Sequence, residues 1–368
     1  MRSWWLPATV AVVLSACQAK ESAGTESLPN LQQVKDLTPG QQVADVTAAL
    51  ERDPTNAALY QRRARLYLTL HNGRAAVADA EQVLKLDAPT APNYMLRAQA
   101  YRAAGMLKKA QADADKADQL GFDGPELPLL RGEIAFIERK YQQALDLLND
   151  ALRKTPFEER AYFYKGLVYA ETGDTTLAIS NFQTATEQAP SMADAYGQLA
   201  AIYNAKRDFT TARQYLDAGL RTSPDDGFLR YNLGVHLALQ QLPDSALTFF
   251  EDATKIDSTL YLSHFNAGLL QYQRDQFAPA ARHLAATLRL APEAPPNTRL
   301  LLADALDRLG QTRTAVREYA TLAKNDPADP RVATRLTQAR IRLRQQAADS
   351  AAGRAPRPVQ LDSLRKIR

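Results

Sequence analysis

Four histidines, one cysteine and a cluster of aspartates are the side chains of this sequence most able to hold a metal or supply a nucleophile. Their spacing argues against both uses. His71, His236, His264 and His283 include no i, i+4 pair of the kind that puts two imidazoles on one helix face around a metal. Asp113, Asp115 and Asp118 superficially suggest a calcium loop, but the glycine needed for its sharp turn is missing, so they are expected on a solvated helical face. No G-x-S-x-G, H-E-x-x-H, glycine-rich phosphate loop or C-x-x-C occurs. The expectation is a non-enzymatic chain with no metal and no cofactor.

The lone cysteine, Cys17, stands directly behind a short positive region at Arg2 and an apolar run from Trp4 to Leu14. That layout is a secretory signal, and the run is too short to span a bilayer. Leu14-Ser15-Ala16-Cys17 resembles the lipobox of bacterial lipoproteins. The resemblance implies cleavage after residue 16, lipidation of Cys17 and attachment to a membrane, and Gln18 in place of Asp points to the outer one. Buried acyl chains contribute about 0.8 kcal/mol per CH₂, enough for a lasting anchor when two or three are present. Residues 17–40 are then the lipidated cysteine and a flexible tether rich in Ser, Glu, Gly and Ala.

Charge is unevenly placed. From Pro330 to Arg368 ten basic residues face Asp349 and Asp362 alone, while the whole chain carries only +4. The basic character therefore belongs to the C-terminal end, where it suits a contact with acidic surfaces, and an exported protein with an acidic body is not expected to bind nucleic acid.

What positions these residues is a repeat. Small residues recur at Ala64, Ala98, Gly132, Gly166, Ala200, Gly234 and Gly268, 34 apart, with Ala303 following after one extra residue. A second series, Ala76, Ala110, Ala144, Ala178, Ala212, Ala246, Ala280 and Ala315, keeps the same intervals and the same slip near Pro295. In residues 159–192, Tyr162, Gly166, Tyr169, Gly173, Ala178, Phe182, Ala185 and Pro190 fall where the tetratricopeptide repeat has its characteristic positions 4, 8, 11, 15, 20, 24, 27 and 32. The chain resembles that family over eight units: 57–90, 91–124, 125–158, 159–192, 193–226, 227–260, 261–294 and 296–329.

The resemblance implies an all-α fold, a right-handed superhelical solenoid of helix-turn-helix units, in which small residues at positions 8 and 20 let paired helices approach. Larger residues at 11 and 24 are expected to fill the gap to the next unit, and prolines 156, 190, 224, 292 and 327 to end helices. Residues 41–56 read as a leading half-repeat helix. Val332, Leu336, Ala339 and Leu343 form a helical stripe that makes 330–347 a capping helix, and 348–368 reads as a basic disordered tail.

In this family, positions 2, 5, 6, 9, 12 and 13 of the first helices line a concave groove for a peptide or helix. By phase these are Arg65 and Arg102 near the start, Asp304 and Asp307 near the end, and an aromatic middle. The candidate partner-binding set is Phe136, Ile137, Phe163, Phe228, Tyr231, Asn232, Phe265, Asn266 and Tyr272. Two readings stay open: groove residues, or aromatics packed between helices with asparagines bonded locally. Position 9 reads Arg65, Gln99, Glu133, Leu167, Ala201, Val235, Leu269 and Asp304, which lacks the residues of the family's carboxylate clamp. The function expected is a membrane-anchored scaffold for protein or peptide partners of the bacterial envelope. A small-molecule or glycan receptor is the alternative, disfavoured because the even spacing leaves no room for irregular insertions.

Overall fold

A computed structural model describes residues 37–291, 293–295 and 297–352; the expected leader, Cys17, most of the tether and the tail from residue 353 lie outside the described residues. Among the described residues there are eighteen helices and no strand. They are α1 (Pro39–Arg52), α2 (Ala57–Thr69), α3 (Gly73–Leu86), α4 (Ala91–Ala103), α5 (Leu107–Gln119) and α6 (Glu126–Ile137). Next come α7 (Tyr141–Lys154), α8 (Glu159–Thr172), α9 (Thr175–Gln188), α10 (Ala193–Ala205), α11 (Phe209–Thr222) and α12 (Gly227–Leu239). The last six are α13 (Pro243–Ile256), α14 (Tyr261–Gln273), α15 (Phe277–Leu290), α16 (Thr298–Arg308), α17 (Thr312–Asn325) and α18 (Pro330–Ala351). Contacts divide the chain into two compact units. Among the described residues, one runs from residue 37 to Pro89 and adds Gln99–Met106; the other holds Thr90–Ala98 and the described residues from Leu107 to Ala352.

Each 34-residue period gives a first helix, a tight reversal and a second helix. The reversal falls at position 15, where all eight units take a left-handed backbone: His71, Gly105, Arg139, Gly173, Arg207, Gln241, Asp275 and Gly310 have φ between 55° and 88°. Glycine adopts this at no steric cost, whereas the five other residues hold it against a Cβ clash. One residue on, Asn72, Asp174 and Asp208 accept hydrogen bonds from Ala75, Leu177 and Thr211 N–H, satisfying donors that a helix start leaves open. The leading helix opens at Pro39, earlier than the expected residue 41, because Thr38 and Gln41 form a reciprocal capping box.

The core follows the two small-residue series. The position-20 alanines are fully buried in all eight units, as are the position-8 alanines. The position-8 glycines show why size matters. A Cβ on Gly166 would lie 2.6 Å from the Phe182 ring, one on Gly234 2.6 Å from Phe250, and ones on Gly132 and Gly268 2.9 Å from Leu148 and Leu284. Position 24 therefore packs onto position 8 of its own unit, which corrects the expectation that it fills the gap to the next. Where position 8 is alanine in the first two units, position 24 is the small Ala80 or Ala114.

Asp113 is also corrected. It is 4% exposed and forms a two-point ion pair with Arg97, Nε to Oδ2 at 2.6 Å and Nη2 to Oδ1 at 3.0 Å. Arg63 and Asp79 repeat the arrangement in the first unit at 2.7 Å. Asp115 and Asp118 instead stay about half exposed and hold Arg131.

The last helix, α18, buries Val332, Leu336 and Ala339 and continues to Ala351, four residues past the boundary expected from the sequence. Its Asp329 side chain caps the start by accepting from Arg331 N–H at 2.8 Å.

Candidate functional site

The candidate groove side chains sit on α6, α8, α12 and α14, and most of them bridge neighbouring helices. Phe136 meets Tyr164 edge-on at 5.8 Å, linking α6 to α8. Phe163 lies 5.7 Å from the buried Phe182 ring of its own unit. Phe228 lies over Gly197, where an added Cβ would come within 2.5 Å of the ring, and it stacks on Tyr231 at 6.4 Å. Tyr231 packs on Phe250, and burial pushes its phenol pKa up. Tyr272 donates to Asp304 Oδ2 at 3.3 Å and packs against Phe277, while Phe265 lies against the core of the last units. Asn232 donates to Phe228 C=O at 2.9 Å, a local bond that leaves its Oδ1 as an acceptor. Ile137 alone of the set is exposed, at 46%.

Asp304 and Asp307 are not open to a ligand. Arg335 and Arg342 of α18 pair with Asp304 and Asp307 respectively, and Tyr319 O–H donates to Asp304. Both aspartates are buried, and removing two carboxylates from water is offset here by charge and by several donors. The capping helix thus places its own cations on the ligand-facing positions of the final unit.

Between α10 and α12 the face opens into a cleft of about 490 Å³. Its apolar wall is Ala201, Ala205, Val235 and Leu239, positions 9 and 13 of two consecutive units. Alanines on α10 create the space that larger side chains would fill. Asn204 and Asn232 also line it, and Phe209 carries the exposed Arg207 guanidinium 5.9 Å above its ring.

Asn204 is held from behind. His236, 2% exposed, donates from Nδ1 to Asn204 Oδ1 at 2.8 Å and accepts at Nε2 from Gln240 Nε2 at 2.6 Å. That pair of partners selects one neutral tautomer, and burial pushes the His236 pKa down in agreement. Asn204 Nδ2 has no hydrogen-bond partner among the described residues, so its two donors remain for whatever enters the cleft.

Of the cleft residues the sequence reading picked only Asn232 as a candidate. Large side chains mark groove positions in a sequence, whereas this cleft exists through small ones. The histidine pairings were also missed: His264 and His283, positions 4 and 23 of one unit, bring their Nδ1 atoms to 2.9 Å. Burial and the neighbouring imidazole push the His283 pKa down to about 4. Among the described residues no group of three metal-ligating side chains is found.

Comparison with known proteins agrees with this geometry. The tetratricopeptide-repeat family matches residues 129–193 and 205–260, and a second form of the same family matches 169–227. Yeast Tom70 is similar at 14% identity, with 87% of this chain and 89% of that one covered and a TM-score of 0.54. The Cut9–Hcn1 hetero-tetramer of the APC/C gives a TM-score of 0.58 at 16% identity over 81% of this chain. This chain spans 58% of the length of that structure. Human IFIT1, solved as a dimer with PPP-AAAA, gives 0.51 at 17% identity over 69% of each chain. These likenesses establish the fold, and no curated protein sequence matches. The family match makes residues 129–260 tetratricopeptide repeats, and the same 34-residue pairing of helices, with small residues buried at positions 8 and 20, continues through the units on either side.

Proposed function

We propose that the chain is a non-enzymatic scaffold, tied to a membrane of the bacterial envelope through lipid on Cys17 and holding a partner peptide or helix along the first helices of its repeats. The tetratricopeptide fold is one used for protein–protein interaction, and the observation that carries the reading here is the cleft between α10 and α12. It is an apolar surface with hydrogen-bonding groups at its margin, the composition of a recognition groove. Exposed Ile137 and Leu239, at 46% and 48%, extend apolar surface on the same helix set. Phe228, Tyr231 and Phe265 are best read as the bridges that keep successive first helices in register. The lipobox-like Leu14–Cys17 supports the anchor, with Gln18 favouring the outer membrane.

Two measurements test it. Photo-cross-linking residues placed at Ile137 and Leu269 should capture a protein partner in membranes, while the same probe at Lys108 on the outward face of α5 should not; equal capture at all three sites refutes the groove. Metabolic labelling with palmitate should mark the wild type and not Cys17→Ser, and label surviving that change removes the anchor.

A further inference from the structure

We propose that the cleft between α10 and α12 is a recognition site for an extended partner segment in which an aliphatic residue lies within a few positions of an aspartate or glutamate. The inference rests on the scaffold reading and adds the chemistry of the occupant.

The cleft offers donors and a cation above an apolar wall. Arg207 is exposed and makes no ion pair among the described residues; its left-handed backbone, φ 61°, and its stacking on Phe209 aim the guanidinium over the rim. Asp208, the adjacent carboxylate, is committed to Thr211 N–H and O–H at 3.1 and 2.8 Å as a helix cap. Asn204 is 6% exposed, and with Oδ1 taken by His236 it presents Nδ2 to the cleft. An occupant must therefore bring acceptors to Asn204 and negative charge to Arg207. Ala201, Ala205, Val235 and Leu239 call for an aliphatic side chain beside them. Asn232 Oδ1, left free by the bond from its own Nδ2 to Phe228, suits a backbone N–H.

An internal segment, not a chain end, fits the surroundings. In the flanking units the same two positions are Leu167 and Glu171 on α8 and Leu269 and Gln273 on α14, so the apolar strip continues through Leu167 and Leu269 along exposed polar margins at Glu171 and Gln273, as a segment running on past the cleft requires. An acidic side chain suits the cleft better than a basic one because its rim cation, Arg207, has no carboxylate partner among the described residues, whereas Asp208 is engaged as a helix cap. The relay Gln240–His236–Asn204 acts by position: it fixes which end of the Asn204 amide faces out.

The test uses the full chain against an array of acetylated, amidated nonapeptides carrying one Leu, Ile or Val and, one to three residues later, Glu, Gln or Lys. The expected result is binding to Glu members, about tenfold weaker for Gln and weaker again for Lys, the size of one charge-assisted hydrogen bond. Ala205→Leu, which fills the cleft from an exposed helical position, should abolish binding with helix content unchanged. Arg207→Glu should move the preference from Glu members to Lys members, a reversal that damage to the fold cannot produce. No bound member, binding indifferent to the Glu/Gln change, or an Arg207→Glu chain with its preference unaltered overturns the proposal. Cross-links at Ile137 and Leu269 alongside such a failure leave the scaffold standing and remove this site alone; their absence removes the scaffold as well.

Discussion

Gly166→Ala sets two ordinary effects against each other at one atom. On helix propensity alone the substitution should stabilise α8, since glycine in a helix interior is about 1 kcal/mol worse than alanine. The structure predicts the opposite sign. The new methyl would sit 2.6, 2.7 and 3.0 Å from Cε1, Cδ1 and Cγ of Phe182, against a comfortable carbon–carbon separation of roughly 3.5–4.0 Å. Phe182 is fully buried and packed by Phe163, so the ring cannot swing aside without moving its neighbours. Overpacking of this kind costs about 1–3 kcal/mol, which leaves a net loss on the order of 1 kcal/mol after the helix gain. Repeat arrays need not unfold in one step, so the readout is hydrogen exchange of α8 and α9 amides, with α16 and α17 as internal reference. Phe182→Leu should rescue part of the loss, giving a coupling of about 1 kcal/mol in the double-mutant cycle. Faster protection loss is expected in Gly166→Ala; slower exchange, as propensity alone would give, refutes the packing argument.

Further outcomes follow from other positions. Gln241→Gly should slow exchange in the α12–α13 hairpin by relieving a left-handed φ of 62°, worth up to about 1 kcal/mol, while Gly173→Ala should cost about as much in α8–α9. His283 has its folded pKa depressed to about 4, so the folded unit binds fewer protons than the unfolded chain between that value and the ordinary 6.5. Its stabilising contribution is complete above about pH 6.5 and is lost as pH falls towards 4; with the ring partly exposed, this amounts to roughly 1–2 kcal/mol. A pH series of exchange in α14 and α15 checks the sign, and His283→Gln should flatten it. Asp307→Ala strands Arg342 and should make α18 the first helix cleaved in limited proteolysis; a cleavage pattern like that of the wild type refutes a role for that pair in seating the helix.

The fold was legible because it rests on prohibition. Where two helices touch, as at Ala178 or Ala212, only a methyl fits, so the sequence repeats the same small residue in every unit. Propensity and cap chemistry then set the helix ends to within a few residues, as at Thr38 and Asp329. What was not legible depends on partners brought together by the fold. Asp113 looked like solvated surface because Arg97 lies sixteen residues before it on another helix. Asp304 and Asp307 looked like ligands for a partner because nothing in their own segment shows that α18 supplies Arg335 and Arg342. The cleft escaped notice for a different reason: a space is written as alanine, and Ala201 and Ala205 carry no sign of what they leave open.

The contact between a position-8 glycine and the bulky residue sixteen places later is made inside a single period. Duplicating one period in the gene copies both halves of that fit together, so an inserted copy arrives with its inner seam already matched. The length of such a chain is then open to change by recombination in whole steps of one period, while point changes at either half of the seam need a compensating change at the other.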